Sequence, residues 1–312
     1  MNTPLAPIAH SIRSRALQWL HTHRELSALN GKDIAEDLDA YKALAETALA
    51  AGLVLSEGTA GNRERRLAHH LTEFCWAELK EGSLLYERLL QNPMTTDALE
   101  FYAPFSLAGY RHAGMETLIA YLSDAGIGRI VEYVPNRRLA IANALRTTGH
   151  DRNTQNSNWP DLTQATWLAG NPQPWHINWE IGYALTHTVF HLTDWGRRPT
   201  ALPDDMASHL TRWLPVWTDI WAETCQWDLV GELLAVGVCL PEPCTELDDW
   251  LRLKRLQHSD GLMPCDDRAV AADPATRFEY HHHTTVVSVI AATIALARDL
   301  DVPGTSVSHG TT

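Results

Sequence analysis

Apolar residues along the chain recur at spacings of three and four far more often than they alternate, which is the period of helices packed on one face. The pattern predicts helices over 8–22, 33–51, 62–80, 83–91, 97–112, 114–124, 128–146, 175–194, 203–222, 224–239, 246–257 and 278–299. Start signals support several of them. Asp33 and Asp161 are suited to cap helix N-termini, and Pro203-Asp204-Asp205 puts a proline and two acids near a first turn. Stop signals are present as Gly196 and as Pro241 and Pro243. Strand-like stretches are confined to the short and ambiguous 53–55 and 127–133.

Two stretches read as loops, 150–160 and 260–276. The first separates halves of about 1–148 and 161–302, which lack a flexible linker and are expected to pack as one domain over 1–302. The tail at 303–312 is expected to be disordered. About a dozen helices joined by short loops imply stacked antiparallel pairs, arranged either as an open solenoid or as a closed ring. No repeat period of 30–45 residues is visible, which disfavours a regular solenoid. The expected fold class is therefore all-α, and a turn at residues 257–261 that resembles one in toroid families favours the closed ring, an α/α toroid, over the solenoid.

Composition narrows the function. Apolar residues make up 45% of the 312-residue chain, enough for a sizeable core. The 25 basic and 38 acidic residues give a net charge of −13, which repels a phosphate backbone and disfavours nucleic acid as a partner. The five cysteines form no CxxC pair, so neither a disulfide framework nor a four-thiolate zinc site is expected. The most apolar window, 286–297, is too short to span a bilayer, and the first residues do not read as a signal peptide. These features together lead to an expectation of a cytoplasmic protein with no membrane partner, and they leave its oligomeric state open.

The 175–194 helix carries the chemistry. At about 100° per residue, His176, Glu180, His187, His191 and Asp194 share an arc of about 60°, opposite Ile181, Leu185, Val189 and Leu192. His187 and His191, at i and i+4, have the spacing by which two imidazoles converge on one ion, and Asp194 is a candidate third ligand. Glu180 lies about 10 Å from His187 along the axis and is a candidate catalytic carboxylate. A second cluster, His281-His282-His283, is placed in the first turn of the last helix. His283 heads the apolar stripe Val287, Ile290, Ile294 and is read as a metal ligand, with His282 as a catalytic candidate and His281 on the flank. Unpaired N–H groups in a first turn favour the neutral imidazole that binds metal. Asp228 and Glu232 sit at i and i+4 on an otherwise apolar helix; Asp228 is the catalytic candidate, and both are expected to face the same cavity and pair with histidines. Cys265 is read as a spectator thiol.

The segment Gln257-His258-Ser259-Asp260-Gly261 resembles the Gln-x-x-Asp-Gly turn of toroid families such as terpene cyclases and protein prenyltransferases. The likeness covers fewer than ten residues and implies fold only. The Asp-Asp-x-x-Asp and Asp-x-Asp-Asp patterns of terpene synthases and cyclases are missing, which disfavours that chemistry. The run from Tyr183-Ala184-Leu185-Thr186-His187 to Thr193-Asp194-Trp195-Gly196, with the later His283-Thr284-Thr285, is similar to an uncharacterised all-helical actinobacterial family associated with specialised-metabolite gene clusters. That resemblance implies that the two segments belong to one site.

The leading expectation is an enzyme of specialised metabolism whose His/Asp-lined cavity holds Zn²⁺ or Fe²⁺ and acts on a small molecule or peptide. The alternatives are a metal-free enzyme with His187 or His191 as general base, and a non-catalytic protein that binds a cationic or aromatic ligand.

Overall fold

The computed structural model describes residues 5–151 and 158–301, and among these it is helical with no strand. The tail at 303–312 and most of the 150–160 loop fall outside that range. The helices are α1 (Leu5–His23), α2 (Leu38–Ser56), α3 (Asn62–Glu78), α4 (Ser83–Gln91), α5 (Asp97–Leu107), α6 (Ala113–Asp124), α7 (Ile127–Ile130), α8 (Pro135–Thr147), α9 (Trp159–Gln164), α10 (Trp179–Thr193), α11 (Asp204–Glu223), α12 (Trp227–Cys239), α13 (Leu247–Leu256) and α14 (Pro274–Asp301).

Each of the twelve expected helices has a counterpart, and the differences lie at the ends. The 33–51 helix starts later because Asp33 caps a short 3₁₀ turn, accepting from Ala35 N, while Asp37 accepts from Ala40 N and caps α2. The 97–112 helix stops early, with Gly109 at φ +92° just beyond its end. The 128–146 helix is split by Pro135, which occupies the first position of α8 and holds Val134 extended. Asn158, not Asp161, occupies the cap position of α9. The 175–194 helix begins only at Trp179, because the side chain of Asn178 caps it by accepting from Ile181 N. The last helix begins four residues earlier than expected, at Pro274.

Six helices follow one another in contact: α2 packs on α5, α5 on α8, α8 on α10, α10 on α12, α12 on α14, and α14 on α2. The circuit closes on itself. The remaining longer helices pack against it from one side or another, α1 on α14, α3 on α2, α4 on α5, and α11 on α12. Every residue of α12 from Leu229 to Cys239 is buried, as expected for a helix apolar on all sides. Gly231 allows α14 to approach it, since a Cβ there would lie 2.9 Å from Val287 Cγ1. No described helix is long and apolar enough to cross a membrane.

The Gln257–Gly261 turn ties α13 to α1. Gln257 Nε2 donates to Ile12 O and to Gly261 O, both at 3.0 Å, and Asp260 Oδ1 accepts from Leu262 N at 3.3 Å. Gly261 has φ +106°, and a Cβ on it would sit 2.1 Å from the Arg15 carbonyl oxygen. Because that obstacle is backbone, a Gly261→Ala variant is expected to lose at least about 2 kcal/mol of stability, read as a lower urea midpoint with an unchanged slope.

Candidate functional site

A cavity of about 320 Å³ lies within the helical circuit, with wall residues from all six of its helices. One side gathers ionisable groups from three of them. Asp228 and Glu232 stand one turn apart on α12, Glu46 comes from α2, and His283 comes from α14. Each nitrogen of His283 faces carboxylate: Nδ1 lies 3.0 Å from Glu46 Oε2, and Nε2 lies 3.5 Å from Asp228 Oδ2 and 3.8 Å from Glu232 Oε1. Helix α10 braces the carboxylates from its own side. The Tyr183 hydroxyl donates to Asp228 Oδ2 and the Thr186 hydroxyl to Glu232 Oε2. His187 Nε2 approaches Glu232 Oε1 at 3.6 Å.

The electrostatics follow from burial and proximity. Burial opposes ionisation of Glu46, but His283 outweighs it and holds the carboxyl down to about 2. Burial is likewise overcome at Glu232, which His187 and His283 hold down to about 2. Burial pushes Asp228 up, against the pull of His283 and with the push of Glu232. Burial works against a charged His283, yet Asp228 and Glu46 raise it well above the usual value. Asp228 Oδ1 is buried and has no hydrogen-bond partner among the described residues. One ligand atom from each of Asp228, Glu232 and His283 falls within a mutual 4.8 Å, the spacing needed to share an ion.

The expected residues divide. Asp228 and His283 are in this cluster, with Glu232 beside them as anticipated. His187 lines the cavity and reaches the cluster through Glu232. His191 also lines the cavity, but its ring stands 6.2 Å from that of His187, at 79° to it. Asp194 ends α10 with φ +51° and sits 3.9 Å from both Arg146 and Arg197. The His187–His191–Asp194 group is therefore strung along one helix, with its carboxylate drawn to guanidinium groups. The convergent group comes instead from α12 and α14.

Glu180 is exposed in the first turn of α10 and does not line the cavity. His282 is buried behind the cavity wall. Its Nε2 lies 2.9 Å from Thr47 Oγ1, its ring packs on Phe278, and burial lowers it to about 4. His281 is buried as well, accepting from Cys265 N at 3.3 Å. His283 does not lie in a first helical turn that would keep it neutral: α14 starts nine residues before it, and carboxylates surround it. Burial and Asp266 raise the Cys265 thiol, which disfavours the thiolate.

Three wall residues carry no motif in the sequence. Glu46 follows Lys42 at i,i+4 and resembles half of a solvated helix pair, and the two do meet at 3.6 Å. Glu100 of α5 and Arg137 of α8 also line the cavity, paired at 2.7 Å. Burial pushes Glu100 up to about 7 despite Arg137. The only signal for these residues is their place on helices that the fold brings together.

The chain belongs to the DUF6895 family, a domain of unknown function that matches residues 13–293 and so takes in every residue of the cluster. No curated protein and no solved structure matches it.

Burial lowers His191 well below its usual value, and His187, Arg137 and Arg146 push the same way. Below about pH 6.5 the unfolded chain takes up a proton at this position that the folded chain refuses, so stability falls with acidification by up to about 1.4 kcal/mol per pH unit. Glu100 acts in the opposite sense, holding a proton when folded that the unfolded chain has released. Comparing His191→Gln with the unaltered protein isolates the histidine: the variant should lose less stability between about pH 6.5 and about pH 5 in urea melts.

Proposed function

We propose that this protein is a metal-dependent enzyme acting on a small molecule, with a divalent cation held by Asp228, Glu232 and His283. The observation that carries the reading is the arrangement around His283. Nδ1 meets Glu46 while Nε2 faces two further carboxylates, which is the carboxylate–histidine–metal relay of many metal sites. In that arrangement the Glu46 carboxylate, 3.0 Å from Nδ1, favours the proton on that nitrogen and leaves Nε2 free as a ligand. The buried and unpartnered Asp228 Oδ1 supplies a further donor atom. Two carboxylates and one imidazole suit Fe²⁺ or Zn²⁺, and the oxygen-rich set suits Mn²⁺ as well.

A divalent ion in such a place supplies Lewis-acid polarisation of a substrate oxygen or activation of water. Tyr183 and Thr186 fix the carboxylates, and His187 is placed at the cavity side of Glu232 to take or give a proton. The cavity volume of about 320 Å³ suits a small molecule rather than a folded peptide. The expected α/α toroid remains the fold we favour. It is supported by the closed circuit of six helices and by a cavity walled by those same helices. A second reading, a metal-free enzyme with His187 as general base, draws on the 3.6 Å contact that orients this imidazole against Glu232.

Protein purified without a nickel column, stripped with chelator and titrated calorimetrically with Mn²⁺, Fe²⁺ or Zn²⁺, is expected to bind about one equivalent and to melt at a higher temperature when loaded. Asp228→Asn and His283→Ala should abolish that binding. Glu46→Gln should weaken it about 10- to 100-fold, as loss of a ligand-orienting partner does. Asp194→Asn should leave it unchanged. A stripped protein that takes up none of these ions would overturn the reading, and turnover by metal-free protein would favour His187 as general base.

A further inference from the structure

The cavity walls differ in chemistry. On the α2 and α12 side the Glu46 and Glu232 carboxylates line it, with Lys42 beside Glu46. The α8–α10 side presents donors from Arg137 and Asn143, next to the Asp194 carboxylate, which lies 3.9 Å from Arg146 and Arg197. On α8, Arg137, Ala140, Asn143, Ala144 and Thr147 line the cavity at helical spacing, so a single stripe of that helix forms the wall. Arg137 uses one nitrogen on Glu100, at 2.7 Å, and its part-exposed guanidinium has further N–H groups to offer. Asn143 is buried, and Arg146 takes its side-chain oxygen at 2.5 Å, which leaves the amide NH₂ as the free end. His191 lines the cavity from α10.

A carboxylate in the cavity would give acceptors to the N–H groups that Arg137 and Asn143 leave unused within the protein. Arg137 presents the planar fork that matches a carboxylate. Its counter-charge is incomplete, because burial pushes Glu100 up to about 7 and so keeps it partly protonated near neutrality. Between the two walls the lining is apolar and aromatic, including Phe101, Pro104, Phe190 and Trp195. Trp195 and Phe190 are stacked with centroids 4.8 Å apart.

We propose that the substrate is a small organic acid with an apolar or aromatic body, its carboxylate held by Arg137 with Asn143 as a supporting donor. This rests on the reading of the cavity as a substrate site, and it places the far end of the molecule toward the cluster around His283. Arg137 is the specificity-determining residue in this arrangement. It selects acids over neutral molecules of the same shape, and the aromatic lining selects the body.

The test uses 3-phenylpropanoate and its neutral analogue 3-phenyl-1-propanol as probes, titrated calorimetrically into the full chain. Each is run against chelator-treated protein and against protein loaded with Mn²⁺. The acid is expected to bind saturably in both forms, about tenfold or more tighter than the alcohol. Arg137→Gln should erase that preference, and Arg137→Lys should keep part of it. The acid-to-alcohol ratio is measured on the unaltered protein, so the inference stays testable even if Arg137→Gln does not fold.

Equal binding of acid and alcohol, no binding of either, or an acid preference that survives Arg137→Gln would each overturn it. Acid binding that needs Mn²⁺ and ignores Arg137 would place the carboxylate on the metal, overturning this inference while sustaining the metal centre. Acid binding through Arg137 in a protein that takes up no ion would do the reverse.

Discussion

Everything at the centre of this molecule answers to one electrostatic constraint: three carboxylates from two helices share a buried space and need positive charge. At an effective dielectric constant of about 20, two like charges about 4 Å apart repel by about 4 kcal/mol. His283 meets that demand by placing a nitrogen toward each group of acids, 3.0 Å from Glu46 on one side and 3.5 Å from Asp228 on the other. Protonation of the imidazole supplies that charge, and the cation proposed for this site would supply it instead. The neighbouring helices are arranged around this pivot. Gly231 lets α14 come close enough to α12 for the imidazole to reach Asp228 and Glu232, and the hydroxyls of α10 donate to Asp228 Oδ2 and Glu232 Oε2.

Much of the fold was legible because helical periodicity is a local property. Every expected helix is present, and the errors come from capping chemistry that competes with periodicity: Asn178 delays α10, Asp37 delays α2, and Pro135 divides the 128–146 segment. The turn at Gly261 was also readable, since its glycine and the residues Gln257 and Asp260 act within a few residues of one another.

The site was legible only in part, and for a physical reason. A stripe on one helix shows which residues share a face, but a binding group needs atoms that converge from different helices. Asp228, Glu232 and His283 could be picked out because charged groups on apolar helices are conspicuous. Glu46 could not, since a glutamate four residues after a lysine looks like an ordinary surface pair. Arg137 and Glu100 had no signal at all. Asp194 misled because its place in the helical wheel assumes a helix that continues, whereas the backbone leaves α-helical geometry at that residue.

The helical circuit closes between α14, near the end of the chain, and α2, near its beginning. The group around His283 therefore draws on residues 46 to 283, and no fragment shorter than that contains it. Glu46 meets its imidazole partner only once α14 packs against both α2 and α12, so the arrangement belongs to the folded circuit and to no local part of it.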